Sequence, residues 1–452
     1  MWFLGIDVGT THVKVVAETE DGRVLPALRT RTPEQHDDDL TFHDADEVWQ
    51  AAVGLAGSYA GGPAAGEGQL GGVAVASFGQ EEAVGVDASG HPVCPSLAWW
   101  ESFPGPALGE DDTRWFDSPG HYARSGIRYR PMQSPERLAQ LRRADPEAWK
   151  RMEHWADFGA YVAWKLCGNW ASSATQLTHS QFFDAITLEP DSESLDRLGL
   201  DPGLFPGVRH VGERLGDIRP GALPGLSLAA DAGVFVGGHD QVLAAFACAS
   251  SIGTDVFDSI GTSEYLMVVT DGVRASQEAY ERGLDFERAW CPGRFVAGCG
   301  IPSGKVIQLL VGLFHSGDYD AFFEALRHPA PSLPSLRLTV SDLSDPAGGL
   351  ISLGGVPAGA SPASVVRACV DQLTDLTGDT LRTMCRIAGT QPRTVALMGS
   401  LFQHEEMVAR RRQAWDLPLT VTELAEPVAT GAARIARHVY QGTSLSLTGE
   451  RA

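Results

Sequence analysis

The sequence predicts an α/β fold made of two similar halves, and three observations carry that expectation. Residues 2–30 alternate apolar strands with glycine turns, residues 135–166 follow helical spacing, and one strand–turn–strand motif occurs twice. At roughly 150 residues per domain, 452 residues suffice for two or three domains. A hydrophobic content of 43% supplies cores that need no covalent staples.

Residues 2–8, 13–18 and 23–30 read as an antiparallel meander, turned at Gly9, Thr10 and Thr11 and again at Asp21 and Gly22. A helix begins near Asp44, with acidic residues in its first turn, and runs through Trp49 and Ala52. Beyond the loop at Gly61, Gly62 and Pro63, residues 70–77 and 83–87 read as strands. Residues 135–143 and 147–166 read as helix, with Trp149, Met152, Trp155, Ala156, Tyr161 and Trp164 at mainly three- and four-residue intervals, the spacing of a core face. Residues 212–233 are rich in Gly, Pro and Ala, which places a domain break near Ala232 and divides the chain into 1–232 and 233–445.

The repeat links the two parts. Leu4, Ile6, Asp7, Val8, Gly9, Thr10 and Thr11, followed by a strand and Asp21-Gly22, recur as Val256, Asp258, Ser259, Ile260, Gly261, Thr262 and Ser263, a strand and Asp271-Gly272. Two halves that each open with a Gly-Thr hairpin point to a duplicated fold with a cleft between them. Any strand–turn–strand also looks like this, so the surrounding motifs have to decide.

Composition narrows the function. A net charge of −22 argues against nucleic acid and anionic membrane as partners. Only Lys14, Lys150, Lys165 and Lys305 are lysines, so a lysine inside a motif stands out. Seven cysteines without a C-x-x-C pair fit a reducing compartment and offer no zinc ladder. The N-terminus lacks a basic n-region and meets Asp7 early, and the longest apolar run, 306–314, falls far short of the roughly 18 residues of a membrane span. A cytoplasmic location is the expectation.

Asp7, Gly9, Thr10, Thr11 and Lys14 place backbone N–H groups, two hydroxyls, a cation and an anion around one turn. That is the donor set of a phosphate chain, and the anion suits a hydrated Mg²⁺. The competing reading is a plain hairpin capped by its aspartate. Asp240 follows a buried strand, Gly237, Gly238 and His239 and precedes Gln241 and an Ala-rich helix, a place for a catalytic carboxylate or for a helix N-cap. Gln80, Glu81 and Glu82 end one strand, and Trp99, Trp100 and Glu101 follow another. Such groups suit a polyhydroxy ligand, and equally a solvated acidic edge with a buried tryptophan. Residues 300–305 look like a P-loop, but Cys299 stands where its first glycine belongs and Val306 where its Ser/Thr belongs. The acidic stretch of His36, Asp37, Asp38, Asp39 and His43 reads as a solvated loop rather than a metal site.

In this order, and over residues 3–439, the motifs resemble the FGGY carbohydrate kinases, the sugar and polyol kinases that include xylulokinases, ribulokinases and glycerol kinases. The resemblance implies two ribonuclease H-like domains of the actin and hexokinase type with an interdomain cleft, ATP and Mg²⁺ as cofactors, and a possible homodimer. It implies Asp7 toward the metal, and Thr10, Thr11 and Lys14 toward ATP phosphates. Gln80, Glu81, Glu82, Trp99 and Glu101 would read sugar hydroxyls, Asp240 would be the general base, and Gln241 a neighbouring substrate contact. Gly261 and Thr262 match the second phosphate motif, Gly304 and Gln308 lie along the nucleotide, and Gly399 and Ser400 stand on the adenosine side.

The chain departs from the family pattern where Leu397 and Met398 replace glycines, which implies an altered adenine pocket, and where Glu81 and Phe103 replace other groups. Adjacent carboxylates Glu81 and Glu82 would repel an acid, so a neutral ketose, a pentulose first, or a polyol is the expected substrate. The alternative is a catalytically silent nucleotide- or sugar-sensing protein on the same fold; against it, Asp7, Lys14, Asp240 and Thr262 are all present.

Overall fold

The structure is a computed structural model that describes residues 1–37, 39–103, 105, 107–261, 263–340 and 351–445. The chain forms two compact units, one of Met1–Gly253, Asp271–Val296 and Leu424–Ala452, the other of Thr254–Thr270 and Ala297–Glu423.

In the first unit, β1 (Trp2–Val8), β2 (His12–Thr19) and β3 (Leu28–Arg31) form the expected meander. Helix α1 (Ala45–Gly61) starts where Asp44 caps the N–H groups of Asp46 and Glu47. Strand β4 (Leu70–Ser77) runs parallel to β1; β5 (Arg214–Asp217) and β6 (Leu228–His239) complete a sheet ordered β5-β6-β4-β1-β2-β3. Helices α2 (Asp240–Ile252) and α3 (Pro427–Tyr440) also belong to this unit.

β1 is buried along its whole length, as a central strand covered on both faces must be. Leu4 and Ile6 share a core with Trp49, Ala52 and Tyr59 of α1. The alternate residues face α3: Phe3 packs on Tyr440, and a Cβ on Gly5 would lie 1.9 Å from the Ala429 carbonyl oxygen and 2.4 Å from the Ala433 nitrogen. Period two puts Asp7 on that same face. Glu18, opposite Phe3 in the ladder, is buried and holds Arg434 at 2.9 Å and Arg437 at 2.7 Å.

In the second unit, strand Val256–Ile260 pairs antiparallel with Glu264–Thr270 and parallel with Val395–Met398, which lies parallel to Leu419–Val421. The first unit uses the same arrangement around β1, so the repeated motif is a repeated piece of fold. Arg411 sits buried between Asp258 and Glu264 behind the hairpin.

Two expectations need correcting. Ala232 lies inside β6 and in the first unit's core, so the break is not there: the chain leaves this unit at Gly253, whose φ of 74° ends α2, and returns to it twice. The boundary was misplaced because β6 has to complete the sheet beside β4 before the chain can depart. Residues 147–166 are not one helix; strand His154–Asp157 separates Pro146–Arg151 from Phe158–Cys167 and pairs with Ala83–Val86, while Asp157 caps the second helix.

Gly5 generates a stability prediction. Gly5→Ala forces β1 and α3 apart and is expected to cost about 1–3 kcal/mol, whereas Gly54→Ala, with open space around it on α1, should leave stability equal or higher. Thermal unfolding of the two variants checks this; equal melting temperatures would mean that α3 does not seat on β1.

Candidate active site

The turn between β1 and β2 is closed from two sides. The Gly9 N–H donates to the His12 carbonyl at 3.2 Å, and Thr32 donates from its hydroxyl to the Gly9 carbonyl at 2.6 Å and from its N–H to the Thr11 carbonyl at 3.0 Å. Thr10 is half-buried at its tip and Thr11 exposed. Asp7 and Lys14 are direct cross-strand partners, with Lys14 Nζ 3.4 Å from Asp7 Oδ2 and 3.0 Å from Oε2 of Glu426, the residue before α3. Burial opposes the charge of Lys14, but the two carboxylates outweigh it and raise its pKa.

Asp7 is 2% exposed and its Oδ1 has no hydrogen-bond partner. Burial, opposed by Lys14 and reinforced by Asp240 and Glu426, pushes its carboxyl up to about 7. An anion buried at that cost, with one free oxygen, fits a hydrated divalent cation that takes few protein ligands.

Asp240 opens α2 at the end of β6. The approach is tight: a Cβ on Gly237 would lie 1.9 Å from the Val75 carbonyl oxygen, and the ladder shifts register between Phe235 and Gly238. A bulge of this kind re-aims the residues that follow it. The Asp240 side chain is 20% exposed, yet its Oδ1 is sealed and has no hydrogen-bond partner. His239 Nε2 lies 3.3 Å from that oxygen, while His239 Nδ1 is 2.6 Å from Oε2 of buried Glu287. Burial raises the Asp240 pKa and His239 opposes the rise. Gln241 is half-buried, with its Oε1 sealed and unpartnered.

Gln80, Glu81 and Glu82 divide their work. Gln80 is fully buried with both amide atoms unpartnered. Glu81 is 21% exposed, and its Oε1 is 3.5 Å from Nδ1 of His179. Burial works to raise the Glu81 pKa, but His179, His239 and Arg130 bring it below its usual value. Glu82 points inward, with Oε1 2.5 Å from Nδ1 of His43 and Oε2 accepting from the Trp99 N–H at 3.0 Å. Both of its oxygens are engaged, so Glu82 is a post under the Trp99 loop rather than a group free for a sugar. The expectation of two like charges at the sugar end therefore reduces to Glu81 alone, matched by His179.

Trp99 is half-buried and meets Trp100 edge-on at 5.7 Å; Glu101 is half-buried, its N–H turned back to the Ala98 carbonyl. Buried Arg137 ties these segments together, donating to the carbonyls of Glu81 at 3.0 Å, Ala98 at 3.2 Å and Trp99 at 2.6 Å. A cavity of about 400 Å³ lies against Glu81, Glu82, Phe103 and Arg137 but borders neither Asp7 nor Asp240.

In the second unit, the Gly261 N–H closes its hairpin onto the Ser263 carbonyl at 2.8 Å; Thr262 lies outside the described residues. Gly399, at φ 102°, comes so close to this hairpin that a Cβ would lie 2.0 Å from the Ile260 carbonyl oxygen, and Ser400 is exposed beside it. Leu397 and Met398 are buried in the sheet, so the departure from glycine falls in the core of the strand and not in the turn. Gly304 is buried in the first turn of helix Ser303–His315, next to an unpartnered Ser303 hydroxyl, and Gln308 is exposed on that helix.

The sequence singles out neither Glu287, His179 nor Arg137; Glu426, which by resemblance stands behind the adenosine-side motif, lies instead beside Lys14. His239 carried a local signal, its place beside Asp240. The rest reach the site from strands and helices distant in sequence.

Asp7 gives a pH prediction. Its pKa is about 7 when folded against 3.8 as a model group, so between those values the folded chain holds a proton that the unfolded chain has shed. This contribution to stability is fullest below about pH 4 and is lost as pH rises through 7. Asp7→Asn in metal-free protein should therefore melt higher than wild type at pH 8 and nearly equal to it at pH 4, as read by calorimetry. A lower melting temperature at pH 8 would mean that the Lys14 contact outweighs burial.

Residues 2–247 match the family described as "FGGY family of carbohydrate kinases, N-terminal domain". The chain is 24% identical over 288 residues to the L-fuculokinase of Haemophilus influenzae, covering 62% of this chain and 60% of that protein. It is 26% identical over 310 residues to the xylulose kinase of Streptomyces coelicolor, covering 68% and 62%. These matches span about three fifths of the length of the curated relatives. A ligand-bound xylulose kinase from Lactobacillus acidophilus has a similar structure, with a TM-score of 0.84 at 16% identity, covering 99% of this chain and 90% of that one. With more than half of its residues matched in sequence and its hairpins repeated as the motifs imply, the chain belongs to the FGGY family of carbohydrate kinases.

Proposed function

We propose that the protein is an ATP-dependent kinase of a neutral ketose, a pentulose first, or of a polyol. The observation that supports this reading best is Asp240: a buried carboxylate with an unpartnered oxygen, at the end of a bulged strand and flanked by an imidazole. In the proposed reaction a substrate hydroxyl gives its proton to Asp240 while its oxygen bonds to the γ-phosphorus, and ADP leaves with the electrons of the broken P–O bond. Such a reaction needs positioning and charge neutralisation more than covalent chemistry from the protein.

Asp7 would hold Mg²⁺ through water, and the ion would supply charge neutralisation on the phosphates. Thr10, Thr11 and Lys14 would meet the phosphates from the first unit. Gly261, Thr262, Gly304, Gln308, Gly399 and Ser400 would carry the nucleotide on the second. Lys14 already stands between two carboxylates, so phosphate would compete with Glu426 for it. Gln80, Glu81, Trp99, Glu101 and Gln241 would face the sugar; the unmet amide of Gln80 and the free side of Glu81 accept and donate as hydroxyls require. A neutral substrate is supported by Glu81 and Asp240 standing as acceptors and by the ketose names of the two curated relatives.

The test is ADP release with Mg-ATP over a panel of ketopentoses, hexuloses, tetritols, glycerol and sugar acids. A neutral ketose or polyol should give a signal that Asp240→Asn lowers by about 10²–10⁴ in kcat while ATP still binds. Near-normal turnover by that variant removes the base assignment, and turnover of sugar acids alone overturns the substrate class.

A further inference from the structure

Beside Asp240 stands a charge pattern that the proposed reaction does not by itself require. Glu287, on strand Asp285–Arg288, lies 2.6 Å from one nitrogen of His239; the other nitrogen lies 3.3 Å from the sealed Oδ1 of Asp240. The imidazole is buried, and its backbone N–H donates to the Thr175 hydroxyl at 2.9 Å, which fixes where the ring begins. His179, on helix Ala174–His179, has its ring 5.0 Å from that of His239 and its Nδ1 3.5 Å from Glu81. The charged and titratable groups around His239 are thus Glu287, Asp240, Glu81 and His179.

We propose that Glu287 and His239 are positioning residues for the base: Glu287 holds His239 as a cation, and that cation keeps Asp240 ionised and turned so that its accessible oxygen, Oδ2, meets the substrate hydroxyl. This rests on the kinase reading above.

Burial, Glu81 and Glu287 all push Asp240 toward its neutral form, in which it could accept no proton; His239, and after it the Gln241 backbone N–H, act the other way. Burial would strip the charge from His239, but Glu287, then Asp240 and Glu81, hold its proton up to about 10. The geometry follows the orienting logic of an acid–histidine–acid chain: an outer carboxylate sets the ring, and the ring sets the group that reacts. The pair lies behind Asp240, at its sealed oxygen, so its effect should fall on kcat and spare the KM for the sugar.

Glu287→Gln separates charge from orientation, because the amide carbonyl can still accept from the ring Nδ1–H while the side chain no longer carries the charge that stabilises a cation. The measurement is kcat and KM against pH for wild type, Glu287→Gln and Glu287→Asp, with ¹⁵N NMR of the histidine rings in the resting proteins. Wild type should show His239 doubly protonated at pH 8 and a flat kcat from neutrality to about pH 9. Glu287→Gln should show a neutral ring at pH 8, a kcat lower by about 10- to 100-fold there, and a new fall of kcat as pH rises through neutrality. Glu287→Asp should recover most of the rate. A neutral His239 in wild type at pH 8, an unchanged kcat–pH profile in Glu287→Gln, or a change in the sugar KM alone overturns the inference. If wild type is active and Asp240→Asn is not, that failure leaves the kinase reading standing; a wild type inactive on the whole panel removes both.

Discussion

The first unit depends on how closely α3 can approach β1 and α2. Gly5 leaves no room for a side chain against Ala429 and Ala433, and Gly431 leaves none against the Leu243 carbonyl, 2.2 Å from where its Cβ would stand. Helix backbone therefore rests directly on strand and on helix. The seating brings Glu426 to Lys14 and backs the strand that carries Asp7, while α2 starts at Asp240. Buried Glu18 is the polar part of the same contact: two guanidiniums from α3 reach its two oxygens, and removing both would leave its charge buried without compensation.

Much of this was legible in the sequence because it is local. The hairpin turns, the strand at 70–77, the Asp44 cap and the position of Asp240 at a strand–helix junction depend on residues within a few places of one another. The repeat was legible for the same reason, since each copy is a short hairpin. What could not be read is the pairing of distant segments. The boundary near Ala232 failed because β6, which contains it, pairs with β4 from far earlier in the chain, so the first unit runs on to Gly253. The reading of 147–166 as one helix failed because a short strand at His154–Asp157 is stabilised by its partner at 83–86 and not by its own pattern. Helical spacing and a strand flanked by helices look alike over so few residues.

Glu82 teaches the same lesson about the site. In the sequence it adjoins Glu81, and both seemed to face one ligand. In the fold the chain turns between them, and Glu82 reaches back to His43 and the Trp99 N–H while Glu81 keeps an exposed edge. Arg137 completes this support from the other side, with its donors on the carbonyls of Glu81, Ala98 and Trp99. Sequence identifies the candidate segments; only the fold separates side chains left free on them from those that hold the segment in place.

The charges of the first unit's site then form a consistent set. Asp7 has Lys14, Asp240 has His239, Glu81 has His179, and Glu287 has His239 again. Burial works to raise the pKa of Asp7, Asp240 and Glu81, and each of these three has a cation or an ionisable ring beside it that opposes the rise. Phosphoryl transfer brings several more negative charges to such a site, and acids left unopposed would protonate as the phosphates arrived. A base that must stay ionised at that moment needs a cation that phosphate cannot claim. In the proposed reaction Lys14, on β2 beside the hairpin turn, is the cation that phosphate would claim, whereas His239 is held behind Asp240 by a carboxylate that is itself buried.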